Sequence, residues 1–332
     1  MSLEEYKEEL KSLKGEYQRT IILPGPITFG PEIEFIGADL NEVYKFLERE
    51  FGKVDSSGYK TWRVKKDIST TRDEKIIPPS KNSIIIKRYG GEVISPILQN
   101  DEKSWDELSR AFLGCIEIEN FGFDDKCAFH VHFGKDNFNN EKFIANLFKA
   151  YMIFEDIIFR ACYGETNKRR PDLRIHATLT AYYIYNSLKN RFDNEEKVEK
   201  FLMEYSQKRE YGLNLQNYNY RMFADKYTIE IRCANHLKSR FLMQNTIRFL
   251  ALFLLYCDSN DFDNEFMDYY IKNKFKIKNI NEYEEEDFEK AMLFAQIFIK
   301  NEIDRLYFMK QYLKCFQQSD IDETQKRKLI NK

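Results

Sequence analysis

The chain has 332 residues, with 52 Lys and Arg against 54 Asp and Glu, for a formal net charge of -2. Its 43% hydrophobic and 32% charged residues are the composition of an ordered protein, long enough for one elaborate domain or two. Balanced charge without a basic stripe offers no footing to nucleic acid or to an anionic membrane surface, so neither is an expected partner.

The six cysteines form no Cys-x-x-Cys pair and no compact zinc spacing. They sit in apolar surroundings and read as reduced thiols of a cytoplasmic protein. The opening decapeptide lacks the apolar stretch of a signal peptide, and the most apolar run, Phe249 to Cys257, is too short to span a bilayer.

In chain order, residues 2–17 read as a charged helix, broken by Pro24-Gly25-Pro26. A strand from Ile27 to Ile36 follows. Leu40, Val43, Tyr44, Leu47 and Phe51 then recur at helical spacing, with Asp39 and Glu42 in a capping-box pattern. Tyr59–Lys65, Ser83–Arg88 and Glu92–Leu98 read as strands, and Ser104–Leu113 as a helix. Ile116–Ile118 and Ala128–Gly134 are further strand expectations. Phe138 to Cys162 is apolar all round, which predicts a buried helix. Asn167–Asp172 reads as a loop, 175–190 and 193–207 as helices, and Tyr227–Cys233 as the last strand. From Ser239 the pattern is helical, with a polar break near 258–285. Strands between helices of varied length predict an α+β fold. Neither GxxxxGK[ST] nor GxGxxG occurs, so no glycine-rich phosphate loop is available.

Four strands carry polar stripes. Strand side chains alternate with period two, so Glu32 and Glu34 share one face of β-rich FGPEIEF, opposite Phe29, Ile33 and Phe35. Glu92 shares a face with Ile94. His130 and His132 share a face opposite Phe129, Val131 and Phe133. Thr228, Glu230 and Arg232 share a face opposite two isoleucines. Any one stripe is an ordinary half-exposed strand. Together they crowd carboxylates that repel one another unless a cation neutralises them. Two of only four histidines fall in one stripe. Oxygen-rich ligands suit Mg²⁺ or Mn²⁺, with an imidazole admitted, better than zinc. Such a face can hold nucleotide phosphates through metal, with Arg232 near the phosphate being transferred. His176 and His236 read as structural or surface residues.

The ordered motifs GPEIEFIG (30–37), WRVKKDIST (62–70), GGEVISPIL (90–98), FHVHFG (129–134), YGLNL (211–215) and YTIEIRC (227–233) resemble the amidoligase family. That family is similar to glutamine synthetase and glutamate–cysteine ligase. The resemblance implies a glutamine-synthetase-like, mostly antiparallel sheet that carries the active site on one face and packs with helices. It implies that Glu32 and Glu34 ligate two different divalent ions and that Glu92 joins one of them. It further implies that His130 binds metal, that His132 approaches ATP, and that Glu230 ligates the ion nearer the γ-phosphate. Arg232 would stabilise the phosphoryl group or a substrate carboxylate. Asp67 and Ser69 match an Asp-x-Ser that contacts substrate, and Asp67 is the candidate general base. Asn214 matches a substrate or nucleotide contact. Two departures stand out: Cys233-Ala234-Asn235-His236 replaces a small Gly-Thr turn, and the segment from Asp67 to Gly90 is long and polar.

The expected organisation is an N-terminal helix and linker (1–24) and a catalytic domain (25–238) with a helical insertion at about 138–208. A C-terminal helical region (239–332) would pack on that domain or serve a homo-oligomer. The expected activity is ATP- and Mg²⁺- or Mn²⁺-dependent ligation of a carboxylate to an amine, on small molecules or peptides, through an acyl phosphate. The rival expectations are a metal-dependent hydrolase or phosphoesterase and an inactive binding or scaffold member. The first predicts turnover without ATP, and the second no nucleotide binding.

Overall fold

A computed structural model describes residues 2–12, 22–52, 54, 60–76, 84–124, 126–163, 177–188, 191–219, 227–237, 239–276 and 287–316. Six strands form one sheet: β1 (Phe29–Ile36), β2 (Arg63–Ile76), β3 (Ile84–Ile94), β4 (Ala128–Gly134), β5 (Leu213–Asn214) and β6 (Thr228–Asn235). Their order across the sheet is β2-β3-β1-β4-β6-β5, and every neighbouring pair is antiparallel. The described residues also form eleven helices, so the fold is mixed α and β around an antiparallel sheet.

The alternation in the sequence sets the two faces of this sheet. Phe29, Ile33 and Phe35, Phe129, Val131 and Phe133, and Ile229 and Ile231 are all buried on the core side. Helices α2 (Leu40–Phe51) and α3 (Glu102–Ile116) pack on that side. The Trp105 ring of α3 lies 4.6 Å from that of Phe29. At the end of β1, Gly37 adopts φ 86°, and a Cβ there would stand 2.4 Å from the Asn120 carbonyl oxygen. This left-handed, crowded position explains the last glycine of GPEIEFIG.

The central helix is α4 (Phe143–Cys162), with all but Ile144 and Ala145 buried. Helices α5 (Ala181–Leu188), α6 (Glu195–Tyr205), α8 (Arg240–Asp258), α9 (Asn264–Asn273), α10 (Phe288–Phe298) and α11 (Glu302–Tyr312) all pack against it. Two further helices, α1 (Leu3–Ser12) and the short α7 (Gln216–Asn219), complete the set. One continuous hydrophobic core runs from Leu10 to Cys315. Polar groups on α4 reach partners on neighbouring helices, as burial favours. Asn146 Nδ2 donates to the Cys257 carbonyl at 2.9 Å, and Lys290 Nζ donates to Asp156 at 2.6 Å. No helix among the described residues is long and apolar enough to cross a membrane.

Several sequence expectations are corrected. Ile116–Ile118 is not a strand: Ile116 ends α3, and the Ile118 amide donates to the Cys115 carbonyl in the closing turn. The expected strands 83–88 and 92–98 are one strand, β3, which runs through Gly90-Gly91 and stops at Ile94. Those glycines serve close contacts inside a strand. A Cβ on Gly91 would meet Leu40 and Phe35 at 2.5 and 2.6 Å. The long helix starts at Phe143, because Lys135–Asn137 forms a separate 3₁₀ turn before it. The strand read from Tyr59 begins at Arg63. The 167–172 loop, His176 and positions 13–17 of the first helix lie outside the described residues.

Candidate active site

On the face opposite the core, the ladder brings the polar stripes into register. Glu34 pairs with Glu92 across β1 and β3. Glu32 pairs with His130 across β1 and β4. His132 pairs with Glu230 across β4 and β6, and Glu230 with Asn214 across β6 and β5. β1 and β4 are flanked on both sides, so the cluster sits in the middle of the sheet. It is also covered: Glu32, Glu34, His130 and Glu230 are 7%, 6%, 3% and 4% exposed.

His130 is the hub. Its Nδ1 lies 3.8 Å from Glu32 Oε2 and 3.8 Å from Glu230 Oε1, while its Nε2 lies 3.7 Å from Glu34 Oε1. Two triads of ligand atoms therefore converge, Glu32–His130–Glu230 and Glu34–Glu92–His130, each within 4.8 Å of one another. Neither ring nitrogen of His130 has a hydrogen-bond partner among the described residues. Nε2 of His132 is in the same position, although Glu32 Oε1 stands 3.2 Å away. Buried polar atoms left in this state are costly, and a cation among them would take the one lone pair that each neutral ring offers.

The surroundings fix the remaining lone pairs. The Ala128 amide donates to Glu34 Oε2 at 2.7 Å. Asn214 Nδ2 donates to Glu230 Oε2 at 2.6 Å, and the Arg232 guanidinium donates to Glu230 Oε1. Thr228 Oγ1 lies 3.0 Å from His132 Nδ1 and orients that ring. Lys65 Nζ pairs with Glu92 Oε2 at 3.2 Å from the outer strand β2. Burial, then the neighbouring Glu32 charge, raises the Glu92 carboxyl well above its usual range. Burial pushes Glu230 up as well, but His132, Arg232 and His130 outweigh it and leave this carboxyl below its usual range.

Two irregularities shape the rim. In β6 the pairing slips beside His130: Val131 faces Ile231, but Phe129 faces Ala234, so β6 carries one extra residue there. Arg232 lies in that bulge, and its amide donates to the Gly212 carbonyl at 2.8 Å. In β2 the register shifts between Asp67 and Arg72. Thr70 folds onto Gly90, where a Cβ would stand 1.7 Å from its Oγ1. Asp67 Oδ1 accepts from the Ser69 amide and hydroxyl, both at 2.8 Å, so this pair forms a local turn at the rim. Neither residue belongs to the two His130 triads.

A cleft of about 320 Å³ opens at the Glu32–His132 end of the cluster. Ile94, Pro96, Ile97 and Tyr227 form apolar walls, and Arg63 is its basic residue. Arg63 pairs with Ile94 across β2 and β3, which puts it on the site face. Arg63 and Lys65 were missing from the expected site, although their parity on β2 was available, and Thr228 stood on the expected β6 stripe without a role. His236 is structural, its ring stacked on Phe123 at 5.7 Å.

The family model described as "putative amidoligase enzyme" matches residues 25–253. The chain belongs to this family. The match takes in all six strands and both His130 triads, so the amidoligase motifs and the buried cluster are the same residues. It also takes in most of α8, beyond the last motif. No curated protein matches the chain.

Proposed function

We propose that this amidoligase is an ATP- and divalent-cation-dependent ligase that joins a carboxylate to an amine through an acyl phosphate. The supporting observation is the buried carboxylate–imidazole cluster around His130, whose ring nitrogens have no hydrogen-bond partner among the described residues. Its donor set, oxygen-rich with an imidazole, fits Mg²⁺ or Mn²⁺. The antiparallel sheet with its site on one face agrees with a glutamine-synthetase-like architecture. We assign 25–238 to the catalytic unit, about 138–208 to a helical insertion, and 1–24 and 239–332 to flanking elements. A cytoplasmic setting, soluble substrates and a homo-oligomer belong to the same reading.

Glu32, His130 and Glu230 would hold one ion, and Glu34 and Glu92 a second. A neutral imidazole offers one lone pair, so His130 can serve one of them. With Nδ1 turned to Glu32 and Glu230, Nε2–H faces Glu34, which orients the ring. Bound there, the ions supply neutralising charge to the β- and γ-phosphates.

The chain's own residues do the rest. Arg232 offers a guanidinium beside Glu230 to the phosphoryl group in transfer. His132 and Arg63 face the cleft that would take the nucleotide, with the base against Ile94, Pro96, Ile97 and Tyr227. In the first step a substrate carboxylate oxygen attacks the γ-phosphorus and ADP leaves. In the second the amine nitrogen attacks the acyl carbon, phosphate leaves, and a base takes the amine proton. Asp67 and Ser69, at the rim beside Gly90, are the candidate substrate contacts, and Asp67 the candidate base.

The test is ADP release with Mg²⁺ and ATP across pools of carboxylates and amines, with product mass read in parallel. ADP formed only when both acceptors are present, with an amide product, supports the ligase. Turnover of a phosphoester or amide without ATP would replace it with a hydrolase.

A further inference from the structure

A line of buried oxygens runs from α4 to the site. Glu155 of α4 accepts from the Thr180 amide at 2.5 Å and from the Ala181 amide at 2.9 Å, at the start of α5. Thr180 Oγ1 lies 3.0 Å from Glu155 Oε1 and 3.0 Å from the Tyr205 hydroxyl. That hydroxyl donates to the Leu213 carbonyl at 3.0 Å. Leu213 precedes Asn214, whose amide donates to Glu230 Oε2.

β5 has two residues and lies at the sheet edge, so its ladder alone holds it weakly. The approach to it is tied through Thr178, which accepts from the Gly212 amide at 3.0 Å. The strand's own outward carbonyl is held by Tyr205. Tyr205 is fully buried among Tyr211, Phe148 and Phe201, with ring centroids 4.6 to 5.6 Å away. A phenylalanine would fill that space as well, so packing does not account for the hydroxyl.

We infer that Tyr205, backed by Thr180 and Glu155, is a positioning residue that sets β5 and so aims Asn214 at the metal-binding carboxylate Glu230. This rests on the proposed metal site. Its sign is a loss of cation affinity out of proportion to the loss of stability.

The experiment is Mn²⁺ titration of the full chain, followed by calorimetry and electron paramagnetic resonance, beside thermal unfolding. Tyr205→Phe is expected to weaken Mn²⁺ binding about 10-fold, the size of other outer-shell effects on metal affinity. Phe201→Leu thins the packing around the same ring without touching the hydroxyl, and should lower Tm while leaving Mn²⁺ affinity at the parent value. In an Asn214→Ala background, Tyr205→Phe should have no further effect on affinity. Thr180→Val should mimic Tyr205→Phe, and Thr180→Ser should restore parent affinity, which keeps a test available if Tyr205→Phe does not fold. Parent-like affinity in both Tyr205→Phe and Thr180→Val overturns the inference while the metal site stands. No Mn²⁺ binding by the parent overturns the metal site, and this inference with it.

Discussion

At the scale of single residues, His130 carries the sharpest consequences. Its two nitrogens face different carboxylates, so the substitutions around it separate by role. Glu32→Gln or Glu230→Gln removes a charged oxygen from the Nδ1 side and should weaken Mn²⁺ binding by more than about 100-fold in calorimetric titration. Glu34→Gln, on the Nε2 side, should leave that class of binding within about 10- to 100-fold of the parent and abolish a weaker second class. Arg63→Met should raise the KM for ATP about 10-fold with kcat little changed, the loss of one charge-assisted contact made equally in ground and transition states. The stripes themselves were legible. Period-two alternation put Glu32, Glu34, His130, His132, Glu230 and Arg232 on one face, because their neighbours are large apolar residues that must turn inward. Arg63 and Lys65 were not singled out, and Thr228 was given no role beyond its stripe, because Arg, Lys and Thr are also what a solvated strand carries.

At the scale of elements, the bulges decide what the stripes become. In β2, the extra residues after Asp67 let Thr70 fold onto Gly90. Gly90→Ala would drive a methyl group into Thr70 Oγ1, Cβ and backbone, at a cost of about 1–3 kcal/mol. Its Tm should fall accordingly. Because the displaced segment carries Asp67 and Ser69, the KM for the carboxylate or amine should rise while Mn²⁺ affinity stays near the parent value. Helix α2 was legible from its spacing and from Asp39, whose side chain accepts from the Asn41 amide. The bulges were not. A register slip depends on the partner strand, and nothing in Ile231-Arg232-Cys233-Ala234 alone says that Phe129 will face Ala234. The same limit explains Ile116–Ile118, where two apolar residues flanking Glu117 mimic strand alternation at the end of a helix.

At the scale of the whole molecule, α4 joins the sheet to the helices around it. Its burial was legible because it is apolar on every side. The strand order β2-β3-β1-β4-β6-β5 was not, since pairing between distant strands leaves no local trace. Burial, opposed by the Thr180 and Ala181 amides, pushes the Glu155 carboxyl up to about 7 from the usual 4.5. The folded chain therefore keeps a proton between those values that the unfolded chain releases. This stability is full below about pH 4.5 and is lost as pH rises through about 7, a change of about 3 kcal/mol. Tm should fall from pH 5 to pH 8, and Glu155→Gln should flatten that slope. The oxygen line behind β5 carries the same fact in a count of hydrogens. Three oxygen–oxygen contacts link Glu155, Thr180, Tyr205 and the Leu213 carbonyl, and each needs one hydrogen. The two hydroxyls bring two. The third can come only from the carboxyl, so the line is complete when Glu155 is an acid and breaks at one link when it is a carboxylate.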